Sequence, residues 1–113
     1  MTTDNLFFAC FTEPSGPDSG ERIKQSFDAH KVWLKEHETD ILVAGPLLTE
    51  SLEYSGTGLI VLRADSLADA TKIAEDDPMH RSGARTFRVV PWRLNEGTIT
   101  AKLTISDRSF GLC

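Results

Sequence analysis

Leu6-Phe7-Phe8-Ala9-Cys10-Phe11 and Leu59-Ile60-Val61-Leu62 are the two stretches that decide the fold. Each is short, apolar and rich in aromatic or β-branched residues, which suits a strand. Side chains alternate across a strand. Phe7, Ala9 and Phe11 therefore oppose Leu6, Phe8 and Cys10, and Leu59 and Val61 oppose Ile60 and Leu62. Both strands are apolar on both faces, so the sheet they form needs cover on both sides.

Working outward, residues 5–12 read as the first strand and residues 13–20, with Pro14, Gly16, Pro17 and Gly20, as a loop. Residues 21–37 lack Gly and Pro and repeat apolar positions at helical spacing. Ile23, Phe27, His30 and Leu34 fall within roughly 60° of one another, with Trp33 on the edge of the stripe. Residues 41–48 read as a second strand, 49–57 as a turn and 58–64 as a third strand. Ser66 and Asp69 make a capping-box-like start to a second helix that runs to about Asp76, and Pro78 stops it. Residues 84–94 read as a fourth strand. Residues 98–105 alternate strictly and read as a hairpin partner for it across Asn95-Glu96-Gly97.

The order β-α-β, β-α-β predicts an α+β, ferredoxin-like βαββαβ sandwich with an appended C-terminal strand. In that topology the second and fourth strands are edges. Pro46 and Pro91 fall in those two strands, where a residue without a ladder donor is tolerated. Two helices cover one face of such a sheet. A second copy of the sheet is the simplest cover for the other, which predicts a homodimer; the fifth strand and long loops are the alternative.

Composition fits one domain over residues 1–113, with a core at 5–94 and a strand extension at 95–113. The chain has 113 residues, 40% hydrophobic and 26% charged. That is ordinary for a soluble globular domain and too short for two cores. No apolar run approaches the roughly 20 residues of a membrane helix, and Met1-Thr2-Thr3-Asp4-Asn5 does not open a signal peptide. The net charge of −5, without a Lys/Arg run, argues against nucleic acid as partner. Two cysteines, Cys10 and Cys113, do not make a scaffold, so a reduced, cytoplasmic protein is expected. No Cys/His spacing suits zinc, and no phosphate loop, dinucleotide fingerprint, nucleophile elbow or HExxH is present, so no metal or cofactor is expected.

His30 is the first candidate for chemistry, because it interrupts an apolar stripe and titrates near neutrality. A core histidine with a satisfied hydrogen bond is the alternative, and spacing alone favours it. Asp77 is the second. A carboxylate at the end of a helix opposes the macrodipole, which hints at another task, although a turn-forming Asp-Pro explains it as simply. Both helices of a ferredoxin-like fold lie on one face, so Asp77 can approach His30. Arg22, Pro46 and His80 are weaker candidates for binding a substrate, and Arg81 and Arg85, like Arg22, could bind a substrate carboxylate, although exposed arginines are common.

Four segments now stand in order: Phe27-Asp28-Ala29-His30-Lys31-Val32-Trp33-Leu34, Ala44-Gly45-Pro46-Leu47, Asp76-Asp77-Pro78-Met79 with Ser82-Gly83, and Val90-Pro91-Trp92. Together they resemble the YCII (YciI-like) family over residues 5–94. The resemblance implies a ferredoxin-like domain paired into a dimeric α/β barrel, with a His/Asp pair, here His30 and Asp77, proposed as catalytic. It also implies a relation to a chloromuconolactone dehalogenase, and muconolactone isomerases share the general fold. Many members carry arginine three residues before the histidine, where this sequence has Phe27; Arg22 is the candidate to replace it.

The expectation is a small-molecule enzyme that uses a His/Asp acid–base pair without cofactor, in isomerisation, elimination or dehalogenation. The alternatives are a metabolite-binding module with His30 as a polar anchor, and a structural dimer with a vestigial pocket.

Overall fold

The computed structural model describes residues 5–97 and the strand residues 101–104 and 109–112. A four-stranded antiparallel sheet contains β1 (Leu6–Pro14), β2 (Ile41–Leu48), β3 (Tyr54–Leu62) and β4 (Arg85–Arg93), in the order β2-β3-β1-β4. The two strands that are apolar on both faces are the central pair, and the proline-bearing strands are the edges. Helices α1 (Gly20–Glu36) and α2 (Leu67–Glu75) and a single turn α3 (Pro78–Arg81) complete the unit. The fold is the expected α+β, ferredoxin-like arrangement. No helix among the described residues is long and apolar enough to cross a membrane.

Register explains the two faces. Phe8 stands opposite Leu62 and Cys10 opposite Ile60. These four pack with Trp33 of α1 and with Ala70 and Ala74 of α2 in the buried core. The small alanines let α2 lie close to the sheet, and Ser66 caps it by accepting the Asp69 N–H at 3.1 Å. On the opposite face Ala9 pairs with Val61 and Phe11 with Leu59, flanked by Val43, Val90 and Trp92. The last three remain 49%, 37% and 41% exposed, so this face keeps the apolar surface the alternation required it to carry.

Three sequence expectations are corrected. β3 begins at Tyr54 rather than 58, because Leu48 pairs with Tyr54 across a register shift between Pro46 and Leu48. The polar segment 54–57 thus continues the hairpin instead of forming a turn. Ala101–Thr104 (β5) pairs with Ser109–Leu112 (β6) in a sheet of its own, not with β4; residues 98–100 and 105 of the expected strand lie outside the described residues, as does Cys113. Finally, the buried residues of α1 are Ser26 and Trp33, not the stripe of Ile23, Phe27, His30 and Leu34. The stripe is turned about a quarter of the helix away from the core, and it faces a cleft.

Candidate functional site

Pro78 organises the site. A residue before proline is driven out of the helical region, and Asp77 is extended at φ −61°, ψ 123°. That ends α2 and makes Asp77 the N-cap of α3, where its Oδ1 accepts the Met79 N–H at 3.0 Å. Proline fits the first turn that follows, where no donor is needed. The carboxylate that opposes the dipole of α2 therefore serves the start of the next turn.

The same oxygen accepts a hydrogen bond from His30 Nδ1 at 2.8 Å. Asp77 is 1% exposed, so this carboxylate is held almost wholly by protein groups. The bond puts the proton of neutral His30 on Nδ1 and the lone pair on Nε2. Nε2 has no hydrogen-bond partner among the described residues. Trp33 stacks on the imidazole at 5.8 Å between centroids and 18° between planes, and fixes the ring from one side. The indole is itself tied to α2, its Nε1 donating to the Ile73 carbonyl at 3.2 Å.

His30 and Asp77 open onto a cleft of about 480 Å³ between α1 and the β2–β3 side of the sheet. Such a volume suits a small organic molecule. Its walls are mainly apolar, from Ile23, Phe27, Leu34, Pro46, Ile60 and Met79. The polar contributors beside the His/Asp pair are Thr12, Tyr54 and Arg85.

The cleft sorts the other candidates. Pro46 lines it. Arg22 does not: its exposed guanidinium reaches the turn after α3, 3.5 Å from the Gly83 carbonyl, because residue 22 sits one turn before Ser26 and away from the stripe that faces the cleft. His80 lies behind the wall. It donates from Nδ1 to the Ala74 carbonyl at 2.7 Å and stacks on Phe87 at 4.4 Å. Its Nε2 is 2.8 Å from Thr12 Oγ1, which also receives Arg85 Nε at 3.0 Å. Since a carbonyl can only accept, His80 carries its proton on Nδ1 and Thr12 donates to Nε2. His80 is thus a neutral support for Thr12.

Burial pushes the His80 pKa below its ordinary value, aided by Arg85 and His30 and opposed by the Ala74 carbonyl and Asp77. The folded chain takes this proton less readily than the unfolded chain. Its stabilising contribution is complete above the ordinary value of 6.5 and is lost as pH falls from there through the folded value. Wild type should therefore lose more Tm than His80→Gln between neutral and mildly acidic buffer. Parallel declines in thermal melts would show that His80 does not carry this pH dependence.

Cys10 sits under the same site. Burial, with the Asp77 charge second, pushes its thiol up to about 12. A thiol that stays protonated is a poor nucleophile, so Cys10 serves packing. Among the described residues no group of three or more His, Cys, Asp or Glu side chains could hold a metal ion.

Thr12 and Tyr54 were not singled out as site residues from sequence, and Arg85 was noted only as one of three arginines that could bind a carboxylate. Thr12 was within reach. It shares strand parity with Phe8 and Cys10, so a polar residue there falls on the helix-covered face, where polarity is informative. Tyr54 was hidden by its placement in a turn.

Comparison with known proteins gives three findings. A profile of the YCII-related domain matches residues 6–93. No curated protein sequence matches the chain. Among solved structures, TftG, a 5-chloro-2-hydroxyhydroquinone dehydrochlorinase from Burkholderia phenoliruptrix AC1100 in complex with 2,5-dihydroxybenzoquinone, superposes with TM-score 0.62 at 21% identity, covering 80% of this chain and 95% of its own. A protein from Deinococcus radiodurans assigned to the antibiotic biosynthesis monooxygenases matches with TM-score 0.44 at 12% identity, covering 82% and 96%.

Proposed function

The chain belongs to the YCII-related domain family, and from that premise we propose that it is a cofactor-free enzyme moving a proton on a small organic substrate. The observation that carries this reading is the 2.8 Å bond between His30 Nδ1 and the buried Asp77 carboxylate, which leaves Nε2 bare beside an apolar cleft. His30 Nε2 is the general base, and after accepting a proton it is the general acid. Asp77 fixes the tautomer and stabilises the imidazolium, as carboxylate partners of catalytic histidines do elsewhere. Substrate carbon acids, lactones or halogenated ring compounds suit this chemistry. A base removes a proton, and the electron pair either moves into a conjugated system, as in isomerisation, or expels a leaving group, as in elimination. That TftG is a dehydrochlorinase of related fold is consistent with the second outcome.

The open sheet face supports a second copy as partner. It is apolar at its centre, where Ala9 and Val61 are buried by their own neighbours, and Val43, Val90 and Trp92 flank it. Packing two such faces back to back removes this surface from water in both protomers at once.

The tautomer is the direct test. Long-range proton–nitrogen NMR in mildly alkaline buffer should show His30 with a protonated Nδ1 and a bare Nε2. Asp77→Leu, which cannot accept the bond, should abolish that preference. A wild-type His30 protonated at Nε2 would have no base to offer the cleft, and the reading would fail.

A further inference from the structure

We propose that Arg85 is the anion anchor of the cleft, so that the ligand is a small, mainly apolar molecule carrying one oxyanion. This rests on the cleft described above being the substrate site.

Arg85 is the one Lys or Arg side chain among the lining residues of the cleft. The position one turn before His30 on α1 is the apolar Phe27, and Arg22 points elsewhere. Any anionic group in the cleft therefore meets its positive charge on the opposite wall, at the start of β4. Arg85 also has no carboxylate within ion-pair distance among the described residues. A half-buried guanidinium without a counter-charge favours a ligand that brings one.

The hydrogen bonds of the guanidinium divide into a fixed set and a replaceable set. Nε donates to Thr12 Oγ1 at 3.0 Å, and Nη2 donates to the Thr12 carbonyl at 3.1 Å and the Gly56 carbonyl at 2.8 Å. These three bonds, two of them to backbone carbonyls, tie the plane to β1 and β3, and His80 locks the Thr12 hydroxyl from behind. The bond from Nη1 to Tyr54 Oη is long, at 3.4 Å, and so is the bond from Tyr54 Oη to the Gly56 carbonyl. Bonds of that length hold little energy and are easily exchanged. Of the five guanidinium N–H groups, one on Nη1 has no acceptor and a second makes the long bond. Nη1, held from behind through Nε and Nη2, and the adjacent Tyr54 hydroxyl thus form a pair of donors available in front. Preorganisation of this kind reduces the ordering cost of binding.

Apolar residues line the rest of the cleft, and His30 lies within it. A ligand whose oxyanion sits on Nη1 and Tyr54 Oη extends its apolar body along Ile23, Phe27 and Leu34 past the imidazole. Both a carboxylate and a phenolate or enolate oxygen satisfy the anchor.

The experiment titrates the protein with benzoate, 4-nitrophenolate and the neutral benzamide, by calorimetry and by following the His30 ring signals. At least one of the two anions should bind wild type more tightly than benzamide and move those signals. In Arg85→Met that anion should lose roughly tenfold to hundredfold in affinity while benzamide is unchanged. Whichever anion shows the dependence assigns the oxygen as carboxylate or phenolate. Tyr54 is 59% exposed, so Tyr54→Phe should fold and show a few-fold loss confined to the anion; it decides the matter if Arg85→Met does not fold. Equal effects on anion and benzamide, undiminished anion binding in the folded variants, or unmoved His30 signals would each overturn the anchor. These are binding readouts. An anchor that holds while His30→Ala keeps turnover leaves the proton-transfer reading wrong and the anchor right, and the reverse pattern separates them the other way.

Discussion

His30→Ala should lower turnover by about 10²–10⁴-fold, the usual contribution of a positioned acid–base group. The site argues for this by what it leaves undone. Asp77 is occupied by two donors, Met79 N–H and His30 Nδ1, and has almost no contact with solvent. In this part of the cleft the bare Nε2 of His30 is able to receive a proton. The effect should appear in kcat with folding intact, because the His30 side chain is 21% exposed and belongs to the cleft rather than the core. Asp77→Asn keeps an acceptor for Nδ1 but removes the charge that stabilises the imidazolium, so it should also lose activity. Lactones and small halogenated or hydroxylated acids are the compounds to assay, with circular dichroism and thermal melts as the check on folding. If a compound turns over and His30→Ala turns it over as fast, histidine leaves the mechanism and the same cleft becomes a metabolite-binding site.

Trp33→Ala should lower the free energy of unfolding by ~3–5 kcal/mol, the range for truncating a buried tryptophan. Against the ~5–15 kcal/mol that holds a domain together, that is a large share. Trp33 is 3% exposed and packs with Phe8, Cys10, Ile60 and Leu62, so its loss opens a cavity at the centre of the core. It also removes the donor to the Ile73 carbonyl and the platform under His30. Trp33→Phe, which keeps most of the ring volume and loses the N–H, should cost less. Urea denaturation at fixed protein concentration measures both. A loss below ~1 kcal/mol for Trp33→Ala would mean that the core closes over the gap, and that α1 is held mainly by its contacts with α3.

The central strands were legible because a period of two is unambiguous when every position is apolar. Leu6–Phe11 and Leu59–Leu62 each read as central strands with two apolar faces, and Pro46 and Pro91 then marked the edges. Helix α1 was legible as a helix but not in its rotation. Ile23, Phe27 and Leu34 have the composition of a core stripe, and an apolar cleft selects the same residue types as a core. The distinction lies in Trp33 and Ser26, and only packing against Ala70, Ala74 and Ser82 shows which side is buried. Asp77 was noticed for an electrostatic misfit with α2, and the misfit is removed by a helical turn too short to leave a periodic signal. Arg85 was marked in the sequence only as one of three arginines able to bind a carboxylate, with nothing to set it apart from Arg22 and Arg81. Its importance comes from Thr12 and Gly56, which are 73 and 29 residues away along the chain.

The double duty of Asp77 Oδ1 separates the histories open to the two members of the pair. On the proposed function, residue 77 answers to folding as well as to chemistry, since a substitution there strands the Met79 amide inside the protein. Residue 30 partners the same carboxylate but holds no backbone amide, so it answers more to what enters the cleft. A lineage that abandoned the reaction would be free to drift at 30 while still being held to aspartate at 77. In such a descendant the carboxylate would outlive the enzyme, as a hinge pin outlasts its door.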